Sequence, residues 1–251
     1  MLVKNISFIG VIFTAMFMIN VVHAQTAFLE QNGLIIIELE SLTDIPNGWS
    51  EESVFDEISG TSYHRYAGNN QFNNPGVDLF EVLIFIQNPG TYQFRWRNLI
   101  AKGDSNTDAN DSWLRIIADA YYGQQGNDSI VCPKGYDPNN NDCPINLDAD
   151  GEVTPEGSGS NGWFKVYRSG SGLWKWSTRT SDNDAHEIFA RFDTSGLYLI
   201  QISGRSQNHA IDRMVLNDVN YNGDPTDLIL PESTTIDADL IFADGFNGEF
   251  F

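Results

Sequence analysis

A succession of short apolar or alternating segments, each closed by turn residues, runs through this chain at 33–40, 77–87, 91–97, 112–121, 163–168, 185–192, 197–203 and 210–216. Side chains of a strand alternate between two faces, so segments of this length bury one face and must pair with neighbours to satisfy their backbone groups. Asn88-Pro89-Gly90 and Thr194-Ser195-Gly196 separate consecutive segments with turn chemistry. No stretch combines sustained helical periodicity with capping residues. The pattern predicts an all-β fold, a β-sandwich or jelly roll.

Between residues 123 and 162 the pattern gives way to Gly, Asn, Asp, Pro and Ser, over a length beyond an ordinary connection, which predicts a loop insertion. Residues 1–24 carry a lone Lys4, an apolar run over 6–18 and Val22-His23-Ala24 ahead of Gln25. That is the pattern of a secretory signal peptide, with an uncleaved N-terminal anchor as the alternative. The run is shorter than a membrane span needs, and no second long apolar segment follows, so a mature chain exported to the periplasm or beyond the cell is expected. In an oxidising compartment the two cysteines, Cys132 and Cys143, most simply form one disulfide that staples the insertion. A tetrahedral metal site would need four ligands, and no histidine lies near them in sequence. After Leu216 the chain is polar and acidic to Asp239 and then carries Leu240-Ile241-Phe242-Ala243-Asp244-Gly245-Phe246. The expected organisation is a signal peptide over 1–24, a β-domain over 25–216 and an acidic, linker-like tail over 217–251.

The sequence of 251 residues holds 14 Lys and Arg against 34 Asp and Glu, a net charge of −20. Loss of residues 1–24 would remove one base and no acid. Such a surface repels phosphate backbones and anionic lipids, which disfavours nucleic acid and membrane surfaces as partners. Neutral glycans, cations and basic partners remain.

Trp174 and Trp176 lie in Gly170-Ser171-Gly172-Leu173-Trp174-Lys175-Trp176, a loop-like run in which little explains their burial. An indole face stacks on the C–H face of a pyranose while nearby amides, acids and bases hydrogen-bond its hydroxyls, so sugar binding is the functional reading and a core position the bland one. Asn146-Leu147-Asp148-Ala149-Asp150-Gly151 alternates oxygen ligands and ends in glycine, as an EF-hand-type loop does, yet Gly157 stands where the bidentate glutamate belongs. Upstream, Asp137-Pro138-Asn139-Asn140-Asn141-Asp142 with Cys143-Pro144 is similar to the calcium loops of thrombospondin type 3 repeats. A solvated acidic loop reads equally well. His186-Glu187-Ile188-Phe189-Ala190 lacks the second histidine of a zinc-protease helix, and no Gly-x-Ser-x-Gly elbow occurs.

Taken in order, these segments resemble the carbohydrate-binding modules with a galactose-binding-like β-sandwich, families 6 and 35 in particular. Ile37-Glu38-Leu39-Glu40 is similar to their first strand and Pro89-Gly90-Thr91-Tyr92-Gln93-Phe94-Arg95-Trp96-Arg97 to their Gly-x-Tyr strand. Trp174-Lys175-Trp176 with Phe192-Asp193-Thr194-Ser195-Gly196-Leu197-Tyr198 resembles the tryptophan loop and following hairpin, and Ile211-Asp212-Arg213-Met214-Val215-Leu216 the final strand. The resemblance covers roughly 33–216 outside the insertion. It implies a structural calcium held by Glu38, Glu40 and Asp212, and a sugar site at Trp174 or Trp176 with Asn208. Ala210 stands where the family often has asparagine, and His209 or Asn208 is the substitute. The expected protein is a secreted, monomeric, non-catalytic binder of polysaccharide or oligosaccharide, stabilised by calcium. Two other functions stay open: a glycan lyase or hydrolase using Tyr63, His64 and Arg65 or paired acids, and a calcium-dependent adhesive or envelope-associated protein.

Overall fold

The computed structural model describes residues 26–103, 105–127, 129–135, 143 and 154–238. The expected signal peptide, the candidate calcium residues Asn146, Asp148 and Asp150, and the apolar stretch 240–246 lie outside them.

Among the described residues the elements are strands and one short 3-10 turn, Leu39–Ser41. The strands are β1 Thr26–Leu29, β2 Leu34–Glu38, β3 Trp49–Glu52, β4 Tyr63–Tyr66, β5 Phe80–Ile86, β6 Gly90–Ile100, β7 Asp111–Ile117, β8 Ala120–Gln125 and β9 Ser129–Val131. They continue with β10 Gly159–Ser160, β11 Trp163–Tyr167, β12 Lys175–Trp176, β13 Arg179–Thr180, β14 His186–Phe192, β15 Gly196–Ser203, β16 His209–Asp218 and β17 Thr235–Asp237. All belong to one curled mixed sheet, in which only β1 and β5 pair parallel.

Two runs of neighbours account for most of it. One reads β17, β1, β5, β15, β7, β11; the other reads β2, β16, β6, β14, β8, β9, with β3 and β4 added beside β16 and with β13 joining the two runs between β11 and β14. Inward-facing residues of both runs, among them Ile84, Ile200 and Leu114 from the first and Phe94, Trp96, Ile188 and Met214 from the second, form one buried cluster. Each large apolar side chain enclosed there contributes roughly 1.5–3 kcal/mol, which makes this cluster the main source of stability.

Several expected segments are observed with shifted limits. The segment 112–121 is two strands, β7 and β8, because the chain reverses between Ile117 and Ala120. The segment 33–40 ends as a strand at Glu38, and Glu40 sits in the 3-10 turn. Glu38 and Glu40 therefore do not share a strand face by alternation, as the sequence pattern predicts. The described part of the expected tail, residues 217–238, is tied to the β-domain: Ser233 exchanges hydrogen bonds with the backbone of Ile36, Arg213 donates to the carbonyls of Leu228 and Leu230, and β17 pairs with β1. Cys132 and Cys143 are joined, with their Cα atoms 5.4 Å apart, and pack with Ala120 and Tyr122 on β8. Among the described residues no helix is long and apolar enough to cross a membrane.

Candidate functional site

Cross-strand register lines up three charged residues and a tryptophan on four neighbouring strands. Arg213 on β16 lies opposite Glu38 of β2 on one side and Arg97 of β6 on the other, and Arg97 lies opposite Trp176 of β12. The register of β16 against β6 shifts between Ile211 and Arg213, leaving Asp212 with no cross-strand partner on β6, which is how a bulge re-aims one side chain. Asp212 is fully buried. Its carboxylate accepts from Arg97 and, at 3.0 and 3.1 Å, from the Ser59 N–H.

Ser59 ties the cluster together. Its hydroxyl donates to Glu38 Oε1 at 2.8 Å and accepts from Arg213 at 3.1 Å, while Arg213 also pairs with Glu38 Oε1 at 3.3 Å. Two residues on, the Thr61 N–H donates to Glu40 Oε1 at 2.6 Å. The loop can approach this closely because Gly60 has φ +64° and no Cβ: one placed there would stand 1.8 Å from Glu40 Oε1. Loss of water pushes the Glu38 carboxyl up to about 7; Ser59 and Arg213 oppose the change, and the charges of Glu40 and Asp212 add to it. Burial likewise raises Asp212 to about 6 against the Ser59 and Arg97 hydrogen bonds.

Glu38 Oε2 and Glu40 Oε2 are buried without a hydrogen-bond partner. Such oxygens are costly to leave bare and are the donor type a hard cation takes. The third expected ligand is engaged otherwise, because Arg97 and Arg213 put guanidinium groups among the carboxylates. Among the described residues no three His, Cys, Asp or Glu side chains gather closely enough to enclose a metal ion.

The tryptophans separate. Trp174 is only 8% exposed and packs with Tyr63, Leu99 and Ala210. Its indole N–H donates to the Asp56 carbonyl at 3.1 Å, Tyr63 meets its edge at 5.0 Å, and the Arg97 guanidinium lies over its face at 5.3 Å. One face and its polar atom are thus committed within the protein and the ring is buried, as the core reading predicts. Trp176 is partly exposed in β12. Asn208, also partly exposed, accepts from Arg65 at 3.0 Å, and Arg65 pairs with Glu52 at 2.6 Å. His209 is fully buried with Nδ1 2.7 Å from Ser112 Oγ, and burial with the nearby Arg168 charge lowers its pKa to about 3. It is therefore a neutral core histidine, enclosed away from any sugar at the surface. Tyr63 donates to Glu52 at 3.1 Å, and His64 is enclosed with neither ring nitrogen hydrogen-bonded, so Tyr63, His64 and Arg65 do not converge on a cavity.

A polar network on β6 and its neighbours is absent from the sequence-based site. Arg95 is two residues from Arg97 and so shares its strand face, the face on which Trp176 stands opposite Arg97. Arg95 donates to Asn217 and Gln93; Gln93 donates to Glu187 at 2.6 Å, and Glu187 pairs with Arg179 at 3.0 Å. The signal for it lies in Gln93-Phe94-Arg95-Trp96-Arg97, where polar residues at every second position mark a wettable strand face.

Two cavities lie elsewhere, one of about 420 Å³ lined by residues including Thr26, Leu42, Leu83 and Tyr198, and one of about 270 Å³ lined by residues including Phe72 and Trp113. Neither is lined by Glu38, Glu40, Asp212 or Trp176.

No protein-family model matches this chain, and no curated protein sequence matches it. Among solved structures it is similar to the GH26-CBM35 β-(1,4)-mannanase of Podospora anserina, at 13% identity and a TM-score of 0.42 over 77% of this chain and 29% of that one. It is also similar to the isomalto-dextranase of Arthrobacter globiformis T6 complexed with panose, at 12% identity and a TM-score of 0.38 over 74% of this chain and 24% of that one. The chain spans less than a third of the length of either protein.

Proposed function

We propose that this protein is a secreted carbohydrate-binding protein that holds glycans without cleaving them. The observation that carries the reading is the partly exposed Trp176, on the strand face that also bears the hydrogen-bonded polar groups of Arg95, Gln93, Glu187 and Arg179. An indole face beside planar amide, carboxylate and guanidinium groups supplies both contacts that a pyranose offers, its C–H face and its hydroxyls. Trp176, rather than the enclosed Trp174, is the stacking ring. In this reading the two strand runs are the two sheets of a jelly-roll sandwich and the chain acts as a monomer.

Glu38 and Asp212 have the raised proton affinities that a glycosidase acid would need. Glu38 Oε1 and both Asp212 oxygens are occupied by Ser59, Arg97 and Arg213, and neither residue lines a cavity, which favours a structural role. Calcium at Glu38 and Glu40 would take up the two bare oxygens and tie the end of β2 to the 3-10 turn that follows it.

Retardation in native gels containing soluble neutral polysaccharides tests the reading. Wild type is expected to be retarded by at least one polymer and Trp176→Ala to migrate as in a blank gel. Release of new reducing ends or unsaturated products from the bound polymer would replace the binding reading with an enzymatic one, and a broad glycan screen with no retardation would remove both.

A further inference from the structure

The outer face of the first strand run carries an apolar band. Phe28, Val82, Ile200 and Ile116 belong to the core cluster, so their neighbours Ala27, Leu83, Leu199 and Ile117 point away from it. Register places these four in one row across β1, β5, β15 and β7, and Ile236 of β17 extends the row beyond Ala27. Leu29, Phe85 and Leu197 form the next row. On the other side the band stops at Glu81, Gln201 and Arg115, which are occupied with one another: Gln201 donates to Glu81 at 2.5 Å and Arg115 to Gln201 at 2.6 Å. Leu83, Leu199 and Ile117 also line the 420 Å³ cavity, together with Thr26.

The band is enclosed towards β1 and open at β7. Ala27 is fully buried and Phe85 is only 3% exposed, whereas Ile117 is 42% exposed. Paired strands lie beside one another rather than over one another, so the burial of an outward ring on β5 calls for a segment that crosses the sheet. The chain itself leads there. The last residue of β17, Asp237, stands opposite Thr26 of the cavity wall, and Ala238 is 2% exposed. Outside the described residues the sequence continues, from position 240, with Leu240-Ile241-Phe242-Ala243-Asp244-Gly245-Phe246, which is apolar except at Asp244-Gly245. Its length fits the band: β17 to β7 is four strand spacings, about 19 Å, and seven extended residues span about 23 Å.

We propose that residues 240–246 dock across this band of their own chain, with Phe242 over β5 and Phe246 against Ile117 on β7. The inference goes beyond glycan binding and does not depend on it. An apolar band of this width left bare would invite association between copies. Docking closes it and makes the Leu240-to-Phe246 motif part of the β-domain, with the Glu81, Gln201 and Arg115 row as its polar border.

Site-specific photo-crosslinking tests it. In the full chain, p-benzoylphenylalanine takes the place of Phe242 or Phe246 in turn, and the captured peptides are identified by mass spectrometry. Position 242 is expected to capture the stretch 83–85 and position 246 the stretches that hold Ile117 or Leu199, within monomers and with a yield that dilution does not change. Ile117→Lys, at an exposed position, should lower capture from position 246 while the near-ultraviolet dichroism stays that of the parent. Products that join two chains and fade on dilution would overturn docking in favour of a second copy as the occupant. Capture from neither position, capture elsewhere on the chain, or capture from position 246 unchanged by Ile117→Lys would also overturn it, and glycan retardation by Trp176 would stand in each case.

Discussion

The acidic cluster makes a stability prediction with a definite sign. Glu38 has its proton affinity raised from 4.5 to about 7 by burial, so the folded chain holds a proton that the unfolded chain has lost, and stability falls as pH rises through that window. His209 acts in the opposite sense: its folded pKa of about 3 lies below the ordinary value, so its contribution is present above about pH 6.5 and lost in acid. From about pH 6.5 to about pH 8 the unfolded histidine is still losing its proton, so His209 returns about 0.4 kcal/mol across that interval. Two-state linkage with the Glu38 values gives a loss of about 0.8 kcal/mol across that interval, the buried Asp212, raised to about 6, adds ~0.2 kcal/mol, and the net fall after the His209 contribution is about 0.5 kcal/mol. Urea unfolding with a chelator present, at matched salt, should show this fall, and Glu38→Gln should flatten it. Calcium at millimolar concentration should reverse it, because the ionised pair Glu38 and Glu40 then has a cation to hold. If the wild-type midpoint is flat or rises with pH under chelation, or if Glu38→Gln keeps the same slope, burial is not what controls this carboxyl.

Trp174→Ala should cost about 3–5 kcal/mol by denaturant titration, the ordinary cost of emptying a large buried aromatic site, whereas Trp176→Ala should leave the midpoint nearly unchanged while removing glycan retardation. Gly60→Ala should destabilise by more than about 1 kcal/mol, because the new methyl group must displace Glu40 from a backbone position at positive φ; a neutral result would mean that the loop relaxes freely. Ending the chain after Asn217 should lower the melting temperature, since Arg213 loses the carbonyls of Leu228 and Leu230 and β1 loses β17; an unchanged melting curve would restore the linker reading of the tail.

The strand-rich fold was legible because alternation and turn chemistry are local properties. The segments at 91–97, 197–203 and 210–216 hold the centres of β6, β15 and β16. What escaped was set by partners far away in sequence. The run Thr235–Asp237 has too few apolar residues to announce itself as a strand, and it becomes one because β1 offers an edge. Trp174 reads as a free ring because its neighbours are Gly, Ser and Lys; the residues that enclose it, Tyr63, Leu99 and Ala210, come from strands far along the chain. The family resemblance named Glu38, Glu40 and Asp212 as a calcium set, whereas the arginines that pair with two of them in the structure, Arg97 and Arg213, had no part in that set. Their role depends on a bulge, and no local pattern marks where register will shift.

The pairing of β1 with β17 has a consequence for the order in which this chain can acquire its structure. β1 has β5 on one side and β17 on the other, and β17 comes from near the end of the described chain. A ribosome delivers Thr26–Leu29 early and Thr235–Asp237 late, so the first strand to emerge is the last to be completed. Contacts of such wide sequence separation are slow to form, and until β17 arrives one edge of β1 stays open. The stretch of synthesis between β16 and β17 is therefore when the open edge of β1 is most exposed to pairing with another chain.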